Sequence, residues 1–145
     1  MKQSMSVAYI DGASRGNPGH AAIGVLITEG GAVVCERSLY LGMATNNVAE
    51  YSALLEAFAV LRQMGRRRVE IRSDSELLVR QMNGIYKVKA EGLKPLFINA
   101  VRMRNEFDEC CITHIPRAEN AEADKLANKA LDEALKRHES EPASK

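Results

Sequence analysis

Two long segments rich in β-branched residues stand next to each other near the start of the chain. They cover residues 22–28 and 32–41, and only the glycine-containing segment 29–31 separates them. Such a pair predicts a β-hairpin, whose antiparallel strands must belong to a sheet. A shorter alternating segment at 7–11 precedes the hairpin and predicts another strand. The first third of the chain is therefore expected to form sheet before any helix begins.

The remainder of the chain alternates between helical and strand patterns. Apolar residues recur at helical spacing over 46–64, and this helix is followed by further predicted elements. The strands are expected at 69–73 and 110–115, and the helices at 75–82, 93–107 and 120–137. The order βββαβαβα predicts an α/β fold, a five-stranded mixed sheet with helices on both faces. We expect one domain over residues 1–138 and a flexible C-terminal tail at 139–145.

Composition is that of an ordinary globular protein. The chain has 145 residues, a formal net charge of +1 and 46% hydrophobic residues. No apolar run approaches the ~20 residues of a membrane span, and the first residues lack the apolar core of a signal peptide. The three cysteines suit neither an even disulfide framework nor a Cys-x-x-Cys metal pair. These features favour a cytoplasmic protein without a membrane partner.

Four acidic residues occupy positions where a soluble domain rarely leaves a carboxylate. Asp11 ends the first strand, Asp74 follows the fourth, and Glu50 and Asp124 lie on the apolar lines of two helices. The carboxyl ends of the first and fourth strands are expected at one edge of the sheet, and both helical acids should point towards it. Carboxylates buried together repel one another, so the sequence predicts a divalent cation among them.

Each acid also has a purely structural explanation. Asp11 could shape the glycine-rich segment after it, and Asp124 could be an ordinary surface residue of a helix. Glu50 could complete a capping box begun by Asn47. Asp74 could cap the next helix, although residues 73–76 already resemble a capping box. The four acids together, rather than any one of them, indicate a site.

The segments around these acids resemble those of type 1 ribonuclease H, over nearly the whole chain. The matching motifs are Asp11-Gly12-x-x-x-Gly16-Asn17-Pro18-Gly19, Thr45-Asn46-Asn47-x-x-Glu50, Ser73-Asp74-Ser75 and Glu119-Asn120-x-x-x-Asp124. The resemblance implies a ribonuclease H-like fold. It also implies that Asp11, Glu50, Asp74 and Asp124 are the catalytic, metal-binding set of this family.

The resemblance further implies a metal-dependent endonuclease that hydrolyses the RNA strand of RNA–DNA hybrids and leaves a 5′ phosphate and a 3′ hydroxyl. Carboxylate oxygens suit Mg²⁺, with Mn²⁺ as a substitute. Two such ions, ~3.5–4 Å apart, can flank a phosphodiester. Asp11 would bridge both ions, whereas Glu50 would bind one and also face the ribose. We expect a monomer, and the chain could also be one domain of a longer polypeptide.

Six residues are expected to bind the hybrid substrate. They are Gly12, Asn17, Thr45, Asn46, Asn47 and Glu76. Amide groups at a helix start could reach a minor groove and sense 2′-hydroxyls, and the Thr45 hydroxyl could bind a DNA phosphate. The alternatives are turn chemistry for Asn17 and helix capping for Asn46 or Asn47. Glu76 stands where many relatives have Gln, which is a departure from the family at this position.

The chain differs from many members of the family in two further respects. Many relatives carry a basic, Trp-containing insertion after the second helix. Here residues 83–94 are a short segment in which the aromatic and basic residues are one tyrosine and three lysines. A residue that assists turnover precedes the last acid in the family, and here either His114 or Arg117 could serve. We favour Arg117, because Pro116 ends the strand and places Arg117 in a loop, while His114 on the strand should be held by its neighbours.

Other functions are compatible with this pattern. The same fold could have a broader range that includes double-stranded RNA, or it could be a catalytically silent hybrid-binding domain, although silent relatives usually lose these acids. A sugar- or nucleotide-binding α/β domain is disfavoured, because the chain contains no Gly-x-Gly-x-x-Gly segment and no P-loop. The arginines at 66–68 could contribute to nucleic-acid binding, but a solvated face is the simpler interpretation.

Overall fold

A computed structural model describes residues 5–140, with side chains for 5–137. Over this part of the chain, five strands form one sheet in the order β3-β2-β1-β4-β5. The strands are β1 Ser6–Gly16, β2 Gly19–Glu29, β3 Ala32–Ala44, β4 Arg68–Ser73 and β5 Glu109–His114. Strands β1 to β3 are antiparallel, whereas β4 is parallel to both β1 and β5. The predicted five-stranded mixed sheet is thus confirmed.

The helices follow the predicted order. They are α1 Asn46–Gln63, α2 Glu76–Met82, α3 Lys94–Arg104 and α4 Ala121–Ser140, with a short 3₁₀ turn at Arg117–Asn120 before α4. Helix α1 buries Leu54, Phe58 and Leu61 against the sheet, as its periodicity predicts. No helix within residues 5–140 is both long enough and apolar enough to cross a membrane.

Two glycines let helices approach the sheet from opposite faces. A Cβ atom at Gly12 would lie 2.3 Å from the carbonyl carbon of Ala49 in α1, and one at Gly24 would lie 2.1 Å from the carbonyl oxygen of Ala123 in α4. In the β1–β2 register Gly24 is opposite Asp11, the residue before Gly12. Because successive strand residues point to opposite faces, α1 and α4 cover the two sides of β1. This geometry brings the start of each helix to the same stretch of strand.

The first strand is longer than predicted, and the reason explains the position of the site. Asp11 does not end β1, which continues to Gly16 because β2 pairs with it along its whole length. The parallel neighbour β4 ends earlier, where Ser73 pairs with Ile10. Asp11 is therefore the first residue of β1 beyond the parallel pairing, and the carboxyl end of β4 opens beside it.

The ends of the last two helices also differ from the sequence prediction. Helix α3 ends at Arg104 rather than at residue 107, and α4 continues to Ser140 rather than ending at Arg137. Helix α4 thus includes the first two residues of the predicted tail. Residues 141–145 of that tail, and residues 1–4 of the predicted domain, lie outside the described part of the chain.

Candidate active site

An open cavity of roughly 500 Å³ lies where the parallel pairing of β1 ends. Its lining is dominated by polar residues of β1, α1 and α4 and of the segments after β4 and β5. All four predicted acids line it, together with Arg15, Asn46, Asn47, Ser75, Arg117 and Asn128. The predicted convergence of the acids at one edge of the sheet is therefore present in the structure.

Three of the acids form a compact group. Asp11, Glu50 and Asp74 each offer a carboxylate oxygen, and these oxygens all lie within 4.8 Å of one another. Asp124 approaches the group from α4, where its carboxyl group hydrogen-bonds with that of Asp11. Strand β1, the segment after β4 and one helix on each face of the sheet thus contribute one acid each.

This concentration of negative charge raises the pKa of two acids. The pKa of Asp11 rises from 3.8 to about 8, first because the group is buried and then because Asp74 and Asp124 lie beside it. Burial and the charges of Asp11 and Asp74 raise the pKa of Glu50 well above its ordinary value. The guanidinium of Arg117 opposes both changes. With a pKa of about 8, Asp11 retains its proton at neutral pH when no cation is bound.

The donor set fits a divalent cation. Glu50 Oε2 is buried and has no hydrogen-bond partner among the described residues. A buried carboxylate oxygen without a donor is unfavourable unless a charge or proton satisfies it. Hard carboxylate oxygens at this spacing are ligands that Mg²⁺ and Mn²⁺ prefer.

Asn120 is part of the site although sequence reasoning assigned it no role. The residue is 1% exposed, and its Nδ2 donates to the carbonyl oxygen of Ile10 at 2.8 Å and to Asp74 Oδ2 at 3.1 Å. It therefore ties the acid after β4 to β1 at the residue before Asp11. Its signals in the sequence were its position four residues before the last acid and its place in the matched motif at 119–124.

Thr45, rather than either asparagine, caps α1. The Thr45 hydroxyl accepts a hydrogen bond from the Val48 N–H at 3.2 Å. The alternative that Asn47 and Glu50 form a capping box is therefore wrong, because Glu50 lies beyond the third residue of the helix. The exposed side chains of Asn46 and Asn47 face the cavity without a capping role.

The capping box predicted at residues 73–76 is also wrong. Ser75 caps α2 by accepting a hydrogen bond from Leu78 N–H at 3.3 Å, while the buried Ser73 hydroxyl accepts from Ser75 N–H. Asp74 takes no part in either interaction. The Asp74 carboxylate can therefore line the cavity, as predicted. The reason is that Ser75 caps α2, and not that residues 73–76 form a capping box.

The other predicted substrate-binding residues, Gly12, Asn17 and Glu76, lie at different distances from the acids: Gly12 lines the cavity, whereas Glu76 does not. The Gly12 N–H hydrogen-bonds to the Glu50 carboxylate and lowers its pKa, so Gly12 orients an acid as well as lining the cavity. Asn17 is exposed, and its Oδ1 accepts a hydrogen bond from Asn46 N–H at 3.1 Å. Glu76 is exposed and pairs with Arg80 at 2.8 Å on α2, outside the lining of the cavity.

The structure separates the two candidates for assisting turnover. Arg117 is exposed in the turn after β5 and lines the acidic cavity. His114, at the end of β5, is exposed and is not among the residues described as lining that cavity. The expectation that neighbours hold His114 in place is wrong, because its side chain is exposed to solvent.

The consecutive arginines at 66–68 each pair with an acid. Arg66 contacts Glu29, Arg67 lies 2.8 Å from Asp108, and Arg68 lies 2.9 Å from Glu109. Their charges are thus balanced within the protein. This supports the interpretation of the segment as a solvated face.

Comparison with known proteins gives a consistent family. The family model described as reverse transcriptase-like matches residues 9–130. A ribonuclease HI of Halobacterium salinarum is 45% identical over 128 residues, which are 88% of this chain and 64% of that protein. A ribonuclease H of Coxiella burnetii is 33% identical, and the match covers 94% of this chain and 97% of that protein.

A solved structure agrees with the fold. A ribonuclease H1 isolated from compost, crystallised in complex with an RNA/DNA hybrid, is 47% identical to this chain and superposes with a TM-score of 0.86. The match covers 90% of this chain and 99% of that one. Some relatives are longer: the chain spans 64% of the halobacterial protein and 36% of a bifunctional protein of Mycobacterium tuberculosis that is 39% identical to it.

Proposed function

This chain belongs to the type 1 ribonuclease H family, and we propose that it is a metal-dependent endonuclease that hydrolyses the RNA strand of RNA–DNA hybrids. The observation that carries the proposal is the group formed by Asp11, Glu50 and Asp74, whose oxygens lie within 4.8 Å of one another around a buried, unpartnered oxygen of Glu50. A silent domain would gain nothing from this costly arrangement, because the like charges repel one another.

The four acids would hold two Mg²⁺ ions, for which Mn²⁺ could substitute. When bound beside a phosphodiester, such ions activate water for in-line attack and stabilise the leaving 3′ oxygen. Hydrolysis at that bond leaves a 5′ phosphate and a 3′ hydroxyl. Cation binding requires carboxylates without protons, and Asp11 has a pKa of about 8 in the metal-free protein. Binding should therefore release a proton at neutral pH.

The protein groups around the acids prepare them for this task. Asn120 fixes the Asp74 carboxylate through its 3.1 Å hydrogen bond, and the Gly12 N–H orients Glu50. The charged Arg117 guanidinium, placed at the cavity, would attract the scissile or departing phosphate. These groups position charge before substrate arrives, which is how a phosphodiester site lowers its barrier.

Recognition of the hybrid would rest on sugars and backbone rather than on bases. Asn46 and Asn47 present exposed side-chain amides at the start of α1, beside Glu50 in the same cavity. Amide donors and acceptors there could detect 2′-hydroxyls across a minor groove. Asn17 supports this edge by accepting from the Asn46 backbone. We propose that the protein acts as a monomer or as one domain of a longer polypeptide.

Cleavage of end-labelled substrates tests the proposal. RNA–DNA hybrid, double-stranded RNA, single-stranded RNA and duplex DNA would be incubated with Mg²⁺, Mn²⁺ or chelator. We expect cleavage of the RNA in the hybrid, with 5′-phosphate products, only when a divalent cation is present. Asp11→Asn should abolish it, whereas Asp108→Asn, which removes an exposed carboxylate outside the cavity, should not.

Three results would contradict parts of the proposal. Hybrid cleavage that persists in chelator, or in Asp11→Asn at the rate of the original protein, would exclude the acidic group as the catalytic centre. Equal cleavage of double-stranded RNA would instead show that the substrate range is broader than hybrids.

A further inference from the structure

Asp124 is the predicted ligand that is not part of the compact group, and its carboxylate is held by a neighbour on α4 that also lines the cavity. Asp124 is half-buried on α4. Asp11, by contrast, lies on β1, and Asp74 is hydrogen-bonded to Asn120, which also donates to β1. Asn128 Nδ2 donates to Asp124 Oδ1 at 3.2 Å and to the Asp124 carbonyl oxygen at 3.0 Å. Asn128 thus fixes Asp124 through its Oδ1 atom and its backbone, at a residue that lines the cavity.

The orientation of that amide is set by Arg15. The Arg15 guanidinium donates through Nη2 to Asn128 Oδ1 at 3.2 Å and to Asp132 Oδ1 at 2.6 Å. A guanidinium can only donate, so Asn128 must turn its oxygen to Arg15 and its NH₂ group to Asp124. The donor and the acceptor in each hydrogen bond from Arg15 to Asp124 are therefore determined by the guanidinium, which can only donate.

The regular spacing of side chains on β1 and on α4 brings Arg15, Asn128 and Asp124 together. Asp11 and Arg15 lie four residues apart on β1 and so point to the same face, the face that α4 covers. Asp124, Asn128 and Asp132 lie at intervals of four on α4 and so form one row along the helix. Asp11 and Asp124 therefore lie together, and farther along the same two rows Arg15 contacts Asn128 and Asp132.

We propose that Asn128, oriented by Arg15, is a positioning residue that holds Asp124 in place to bind the cation. This inference rests on the proposed function and deepens it, because it names the groups that fix the fourth ligand. Groups that orient a metal ligand typically contribute ~10–100-fold to metal affinity. Asn128 acts through Asp124 and does not itself bind the cation or the hybrid.

The test measures Mn²⁺ binding to the protein alone, by calorimetry or by loss of the free-ion electron paramagnetic resonance signal. Asn128→Ala should weaken Mn²⁺ binding by about tenfold or more, and Arg15→Ala by a smaller factor of about threefold. The double variant should be no weaker than Asn128→Ala, because both changes break one chain of contacts. Lys129→Ala, at the adjacent exposed position of α4, should bind like the original protein.

Kinetics separate positioning from substrate contact. In Asn128→Ala the Mg²⁺ concentration for half-maximal cleavage should rise by a similar factor, while KM for the hybrid at saturating Mg²⁺ stays unchanged. Unaltered Mn²⁺ affinity in Asn128→Ala, or a raised KM with unaltered Mn²⁺ affinity, would overturn the inference. If the original protein binds Mn²⁺ but cleaves no hybrid, the proposed function fails, and the Mn²⁺ titrations still decide the role of Asn128.

Discussion

Replacing Asp11 by Asn should stabilise the metal-free protein, and the gain should grow with pH. In the unfolded chain Asp11 has its ordinary pKa of 3.8, whereas in the folded protein the pKa is about 8. Below pH 3.8 both states carry the proton, so the group does not affect stability. As pH rises towards 8, the unfolded state releases the proton and the folded state retains it, and the free energy of unfolding falls.

The size of the effect follows from the same difference between the pKa of Asp11 in the unfolded and in the folded state. About four pH units at ~1.4 kcal/mol each give roughly 6 kcal/mol as an upper limit at pH 8. Part of this is relieved in the folded protein, because the cluster can share protons with Glu50 and admit solvent from the open cavity. We therefore expect a gain of about 2–3 kcal/mol for Asp11→Asn, which is ~6–10 °C in the melting temperature of a domain of this size.

The assay is urea or thermal unfolding in chelator at pH 4.5, 6 and 8, followed by circular dichroism. Glu133→Gln, which removes an exposed carboxylate from α4, serves as the matched control and should show no trend of this size. Added Mg²⁺ should reverse the order, since it stabilises the original protein by binding the acids of the folded state. A gain from Asp11→Asn that is equal at pH 4.5 and pH 8, or a loss at pH 8, would refute the electrostatic reasoning.

Three further predictions follow from the site. Arg117→Ala should lower kcat about tenfold or more with little change in KM for the hybrid, whereas His114→Ala should leave both near normal; the reverse kinetics would exchange their roles. Asn120→Ala should lower the free energy of unfolding by ~1–3 kcal/mol, because the buried Ile10 carbonyl loses its donor, and equal denaturant midpoints would contradict it. Binding should weaken with added salt, with a modest slope, and hybrids of unrelated sequence should be cut alike; strong dependence on one base sequence would count against backbone recognition.

The parts of the fold that sequence predicts well are those encoded by short-range patterns. The hairpin, the helical face of α1 and the order of elements all depend on residues within about one element of each other. The length of β1 does not, because its second half exists only through pairing with β2. Asp11 was expected at a strand end, yet it lies within a strand at the point where a parallel neighbour stops.

The same distinction explains which site residues could be found in advance. The four acids were identifiable because each lies in a distinctive local motif and each is the wrong residue type for its apolar surroundings. Asn128 and Arg15 carry no such contradiction, since an asparagine on a helix and an arginine after a strand are ordinary surface residues. Their significance arises only when β1 and α4 meet, 113 positions apart along the chain. Groups that bind a cation are thus easier to infer from sequence than the groups that hold them, because a ligand must have a particular chemistry, whereas a positioning residue needs only a suitable hydrogen-bonding group in the right place.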